Sequence, residues 1–194
     1  MIKVGLTGGI ASGKTTVTRI FRELGIPVYY ADQRARELTE TSDEIIVSIK
    51  KVFGENALIQ GKPDRDYLRN VVFGNRELLE KLNAIVHPVV KNDFIQWCEK
   101  YMDVAYIIKE AAILYESSTY KDLDKTILVV ADTDERIQRI KKRDKLDDIV
   151  IDQILKSQWP DEKKMILADF VIRNNEVDAI LPQVMEIHKK LKLI

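Results

Sequence analysis

Residues 8 to 15 read Gly-Gly-Ile-Ala-Ser-Gly-Lys-Thr, a complete G-x-x-x-x-G-K-[ST] pattern. An apolar run, Ile2–Leu6, precedes it. Val17, Ile20, Phe21 and Leu24 follow at helical spacing, and Gly25 closes that helix. The pattern therefore sits between a strand and a helix, the one context in which it has a physical meaning. Glycines let the backbone curl so that successive N–H groups face one anion, and the helix behind turns its positive end to the same point. Lys14 can then reach the β- and γ-phosphates of a nucleoside triphosphate, and the Thr15 hydroxyl can ligate Mg²⁺. A dinucleotide fold is excluded, because the G-x-G-x-x-G spacing does not occur.

The loop needs a sheet to stand on. Further strands are expected at Pro27–Tyr30, Val104–Ile108, Ile127–Val130 and Phe170–Ile172, and the unbroken apolarity of the middle two suggests burial on both faces. Helices separate them, so the expected class is α/β, with a mostly parallel five-stranded sheet flanked by helices. Thr41 and Glu44 have capping-box spacing and are expected to open a helix through Val52. From Asp64 to Tyr101 the pattern is almost all helical. Leu78, Leu79, Leu82, Ile85 and Val86 form one stripe, and Pro88 is expected to interrupt the run. That stretch is too long for a crossover and reads as an inserted helical subdomain. Asp132 and Glu135 mark another helix start, and Ile180, Leu181, Val184, Ile187 and Leu191 a closing helix. The expected organisation is a single chain with its core at about 1–60, 104–135 and 167–194, a helical insertion at about 61–103 and a smaller charged insertion at about 136–166.

Composition narrows the setting. The 31 Lys and Arg balance 31 Asp and Glu, which removes the simplest case for a nucleic-acid binder. No apolar run approaches the ~20 residues of a membrane helix or the ~7–15 of a signal peptide, so a cytoplasmic protein with no membrane partner is expected. Cys98 alone excludes a disulfide framework and a cysteine-based zinc site. Oligomeric state is not encoded in any motif here.

The loop names the nucleotide and not the acceptor. The guanine-reading N-K-x-D motif is missing, which favours a small-molecule kinase over a GTPase switch. Such a kinase needs a base near the acceptor hydroxyl and cations over the transferring group. Asp32 follows the second strand. In a parallel sheet the carboxyl ends share an edge, so Asp32 is expected to face the loop as that base, although a helix N-cap before Gln33–Leu38 suits it equally. Arg36, four residues on, suits an acceptor phosphate or a pair with Asp32. Arg136, Arg139 and Arg143 share a helix face at i, i+3 and i+7, either as a cationic lid over ATP or as a solvated basic face. Glu110 can assist Mg²⁺ through water or serve as a loop carboxylate. His87 reads as packed, capping or functional, and Trp97, Cys98 and Tyr101 as helix packing.

Several segments, in order, carry a more specific likeness. They are Leu6 to Thr16 (L-T-G-G-I-A-S-G-K-T-T), Ala31-Asp32 with Ala35-Arg36, Gly54, and then Arg65, Leu68, Arg69 and Phe73. Asn83 with His87-Pro88, Leu114 with Glu116, and Arg139, Arg143 and Asp144 follow, and Gln158 with Ala168 to Ile172 and Asn174 close the set. Together they resemble the dephospho-CoA kinase family over nearly the whole chain. The resemblance implies a P-loop kinase core, a helical CoA-binding insertion and a lid. It also implies transfer of a phosphoryl group from Mg·ATP to the ribose 3′-hydroxyl of dephospho-CoA. By matching position, Asp32 becomes the general base. Gly8, Gly9, Ile10, Ala11, Ser12, Gly13, Lys14, Thr15 and Thr16 become the phosphate site, with Thr15 on the metal. Arg139 and Arg143 become lid cations, and Asn174 lies near the adenine. Arg36, Arg65, His87 and Glu116 fall on the acceptor side. The chain departs from the family pattern at Tyr30, where an Asp is usual, at Ala112, where Pro is usual, and at Asp161 and Lys164, where Arg is frequent.

Overall fold

The computed structural model describes residues 1–144, 147–175 and 177–193. In chain order the elements are β1 (Ile2–Gly8), α1 (Lys14–Glu23), β2 (Val28–Tyr30), α2 (Ala31–Thr41), α3 (Asp43–Phe53), β3 (Leu58–Ile59), β4 (Lys62–Pro63), α4 (Arg65–Val72), α5 (Arg76–Glu99), β5 (Tyr106–Glu110), β6 (Lys125–Val130), α6 (Thr133–Asp144), α7 (Asp148–Ser157), α8 (Asp161–Met165), β7 (Phe170–Arg173) and α9 (Ile180–Lys192). They form two compact units, Met1–Tyr30 with Tyr101–Ile194, and Ala31–Lys100.

The first unit is built on a sheet in the order β2-β5-β1-β6-β7, with every neighbouring pair parallel. Strand residues of β1, β5 and β6 are buried on both faces, as expected for the last two from the apolarity of Val104–Ile108 and Ile127–Val130. On one face Val4, Leu6, Tyr106, Ile108, Ile127 and Val129 pack with Val17 and Phe21 of α1 and Val184, Ile187 and Leu191 of α9. On the other, Leu128 and Val130 meet Tyr115, Trp159 and Met165. Strand β5 begins and ends two residues later than Val104–Ile108, because its register is set by β1 (Ile2 opposite Tyr106, Leu6 opposite Glu110). Glu110 is therefore inside the ladder. Helix α1 closes as expected at Gly25, which stands at φ 78. There the Gly25 N–H donates to the Arg22 carbonyl (2.9 Å) and the Ile26 N–H to that of Phe21 (3.0 Å), and Ile26 and Phe21 share the core. Asp169, just before β7, accepts from the Thr126 N–H (2.8 Å) and the Lys125 ammonium (2.9 Å) and so pins β7 in register on β6.

The Tyr106 hydroxyl lies 2.6 Å from His188 Nδ1, beneath α9. Burial, with help from Lys192, holds His188 below the usual imidazole range. The unfolded chain therefore takes up this proton more readily than the folded one. Stability from this group is present above the unfolded value of ~6.5 and is lost as pH falls through the lower folded value. The melting temperature is expected to drop on the acid side of neutrality, and to drop less steeply in His188→Gln. Identical slopes for the two proteins would remove His188 as the cause.

The second unit is helical apart from the hairpin β3–β4, whose two-residue turn has Gln60 at φ 51 and Gly61 at φ 79, as a tight primed turn requires. Its core is Ile45, Ile49, Ala57 and Leu68, closed by Leu82, Ile85, Val86 and Val89 of α5. The compact helical unit begins at Ala31, because α2 and α3 pack on α5. Three local expectations change. Ser42, rather than Thr41, caps α3 and accepts from the Ile45 N–H, while the Thr41 hydroxyl bonds back to the Glu37 carbonyl at the end of α2. Helix α5 continues through Pro88. Ala84, whose carbonyl the proline leaves without its helical partner, is exposed like Pro88 itself, so water can satisfy that oxygen while Ile85, Val86, Val89 and Val90 hold the buried side. Leu79 is 43% exposed and lies outside the stripe.

Candidate active site

Parallel pairing sends β1, β6 and β7 out at one edge of the sheet, so the loop after Gly8, the Ala131–Asp132 turn and Asn174 emerge together. Between β1 and α1 the chain turns through Ala11 at φ 58 and Gly13 at φ 100. A side chain at Gly13 would also run into the Asn174 amide. Helix α1 starts with no side-chain cap and no acidic residue in its first turn, which leaves its positive end for a ligand. Thr15 and Thr16 are exposed there.

The carbonyl oxygens of this loop, which would repel a phosphate, are each engaged by a donor. Lys14 Nζ donates to Gly8 (3.0 Å) and Gly9 (3.3 Å), Arg136 Nε to Ile10 (2.9 Å), Arg139 Nη1 to Ala11 (3.3 Å) and Asn174 Nδ2 to Ser12 (2.7 Å). The Ile10 N–H donates to Gln158 Oε1 (2.9 Å). A cleft of about 720 Å³ adjoins the loop, lined among others by Arg136, Gln158, Trp159, Arg173 and Asn174. The arrangement suits a polyanion at the loop and a planar group in the cleft.

The three arginines of α6 differ in setting. Arg136 is buried and pairs with Asp161 (3.2 Å). Arg139 is half-buried and bonded to Glu135 (2.6 Å). Arg143 is 64% exposed and held by the adjacent Asp144 at 2.8 and 2.7 Å. The spacing alone suggested one uniform face. Ile140, fully buried one turn after Arg136, shows that this end of α6 faces inward. Burial raises the Asp161 carboxyl above its ordinary value, against the pull of Arg136 and Lys164. Lys164, fully buried, pairs with Glu116 Oε1 (3.0 Å), which also accepts from the Trp159 N–H (2.9 Å). Glu116 is thus tied to the 159–164 segment. Two of the four positions that depart from the family pattern, Asp161 and Lys164, are paired with an opposite charge.

The remaining candidates lie in the helical unit. Asp32 is half-buried in the first turn of α2, one residue inside the helix rather than at its cap. Arg36 and His87 are exposed. Arg65 opens α4 behind the Asp64 cap and pairs loosely with Glu40 (3.6 Å), and Arg65, Asp66 and Arg69 line a shallow recess of about 440 Å³. No cluster of three or more His, Cys, Asp or Glu among the described residues forms a metal site by itself. Sequence reasoning assigned Arg136 no distinct role and Gln158 none at all, since their partner at Ile10 is 126 and 148 positions away.

A parallel sheet in this order, with a G-x-x-x-x-G-K-T loop leaving its central strand and arginine-bearing helices beside it, defines a P-loop kinase. The family model described as dephospho-CoA kinase matches residues 2–179. A dephospho-CoA kinase from Fusobacterium nucleatum is 41% identical over 176 residues, 89% of each chain. Among solved structures, TT1252 from Thermus thermophilus matches with a TM-score of 0.88 at 30% identity, covering 97% of this chain and 96% of that one. The dephospho-CoA kinase from Campylobacter jejuni matches with a TM-score of 0.70 at 27% identity, covering 98% and 97%. The chain belongs to the dephospho-CoA kinase family, and it is a phosphotransferase.

Proposed function

We propose that this kinase transfers the γ-phosphoryl group of ATP to the 3′-hydroxyl of the ribose of dephospho-CoA, giving CoA and ADP. The observation that carries the reading is a family match running from β1 past Asn174, across a phosphate loop whose carbonyls are all engaged. In this reading the β- and γ-phosphates lie in the loop from Gly8 to Thr16, with Lys14 at their oxygens. The adenine lies toward Asn174. Asp32 accepts the 3′-hydroxyl proton as that oxygen attacks phosphorus, and ADP departs. Arg139 and Arg143 offset charge on the transferring group. A Mg²⁺ held with the help of Thr15 would neutralise phosphate charge. The exposed Thr15 hydroxyl fits it, since Mg²⁺ keeps several waters and takes few protein ligands. Arg36, Arg65 and His87 hold the acceptor from the helical unit, and Glu116 acts through the 159–164 segment that it fastens. No described helix is long and apolar enough to cross a membrane.

The test is ATP depletion against dephospho-CoA and the common nucleoside monophosphates, with the product's phosphate located by NMR. Depletion with dephospho-CoA and a ribose 3′-phosphate is expected. Depletion only with a nucleoside monophosphate would reassign the acceptor, and depletion with none would make the chain a nucleotide-dependent binding module.

Arg143→Ala is expected to lower turnover about tenfold or more while the melting temperature hardly moves, because its side chain is 64% exposed. Arg139→Ala should lower turnover similarly but also weaken ATP binding, since it releases the Ala11 carbonyl. Normal activity in both folded variants would make α6 a structural helix only.

A further inference from the structure

Residue Ile10 is gripped on both sides from far along the chain, the N–H of its 9–10 peptide by Gln158 and the carbonyl of its 10–11 peptide by Arg136. We propose that Arg136 is a positioning residue for the phosphate loop, and that Asp161 in turn positions Arg136. The inference needs only that the loop binds a nucleoside triphosphate, whatever the acceptor.

Two of the three guanidinium nitrogens already have acceptors. Nε donates to the Ile10 carbonyl (2.9 Å) and Nη1 to Asp161 (3.2 Å). The group also lies against Gly9, where a Cβ would stand 2.5 Å from Cζ and 2.8 Å from Nη1. Its side chain is 8% exposed, against 37% for Arg139 and 64% for Arg143, so it is the most enclosed of the three cations.

The loop has a physical need for this grip. Ala11, at φ 58, stands in the left-handed region, which is unfavourable for a residue with a Cβ and persists only where the surroundings over-determine it. Rotating the peptide between Ile10 and Ala11 would relax Ala11, and it would turn the Ile10 carbonyl away from Arg136. With that oxygen held, the rotation is blocked. Arg suits the position because its rigid fork serves two acceptors in fixed directions, which one ammonium does not. The fork needs Gly9 beneath it and a carboxylate to balance its buried charge. Asp161, where the family frequently has Arg, supplies that charge.

The experiment compares wild type with Arg136→Met and Arg136→Lys. Arg136→Lys keeps a charge for Asp161 and so guards against misfolding. Affinities for Mg²⁺–tripolyphosphate and for Mg·ATP are measured by calorimetry, and amide hydrogen exchange is measured on the ligand-free protein. Arg136→Met should weaken both ligands by the same factor, about tenfold or more, the scale of one charge-assisted hydrogen bond, with Arg136→Lys between. The Ala11 amide, which shares its peptide group with the Ile10 carbonyl, should exchange about tenfold faster or more in the ligand-free variants. Gly9→Ala should speed it similarly, and should add nothing in the Arg136→Met background. Unchanged tripolyphosphate affinity in both Arg136 variants would overturn the proposal. Weakened affinity with wild-type exchange at Ala11 would also overturn it, by making Arg136 a direct phosphate cation. None of these readouts involves the acceptor, so a wrong acceptor assignment leaves them untouched.

Discussion

Asp32→Asn is expected to reduce turnover by ~10²–10⁴-fold, or about 3–5.5 kcal/mol of barrier, with ATP affinity nearly unchanged. A carboxylate can take the proton of the attacking hydroxyl, and an amide of the same size cannot. Asp32 lies in the first turn of α2, where its charge favours the helix. Losing that charge costs only about 0.3–1 kcal/mol, so the melting temperature should shift by a few degrees at most. Turnover within a few-fold of wild type would leave Asp32 a helix-terminal carboxylate and require another base. Activity lost only in proportion to folded protein would likewise make its role structural.

Lys14→Ala should reduce transfer by ~10³-fold or more and weaken ATP binding as well, because its proposed role places the ammonium on the β- and γ-phosphates before and during transfer. In the structure that ammonium rests on the Gly8 and Gly9 carbonyls at 3.0 and 3.3 Å. Its removal therefore also leaves two loop oxygens without that donor, adding to the loss of phosphate affinity. Near-wild-type turnover in Lys14→Ala would take the loop out of the mechanism. Asp32→Asn and Lys14→Ala should thus separate cleanly, the first affecting rate with little change in nucleotide binding and the second affecting both.

Short-range patterns carry what is legible in the sequence. The strand–loop–helix around Lys14, the double-sided burial of Ile127–Val130 and the Gly25 stop each follow from residues within a few positions of one another. Sequence and structure part where two local signals compete. Thr41 and Ser42 both suit an N-cap, and the role falls to Ser42 because Thr41 is still in α2. Pro88 is a helix breaker by its own chemistry, yet it stands on the exposed side of α5 while the apolar side is buried, and the helix runs on.

The class of fold, the nucleotide site and the family were decided by the order and spacing of residues along the chain, because glycine conformations, helix polarity and strand burial are local properties. Which groups fasten the phosphate loop was decided only by tertiary structure. Ile10 meets Gln158 and Arg136, Ala11 meets Arg139, and Ser12 meets Asn174 across separations of 126 to 162 residues. Three arginines at i, i+3 and i+7 look alike in sequence. They become a buried clamp, a half-buried tie and an exposed cation only when the parallel sheet brings the ends of β1, β6 and β7 to one edge and α6 settles against them, since burial and partner then set what each charge can reach.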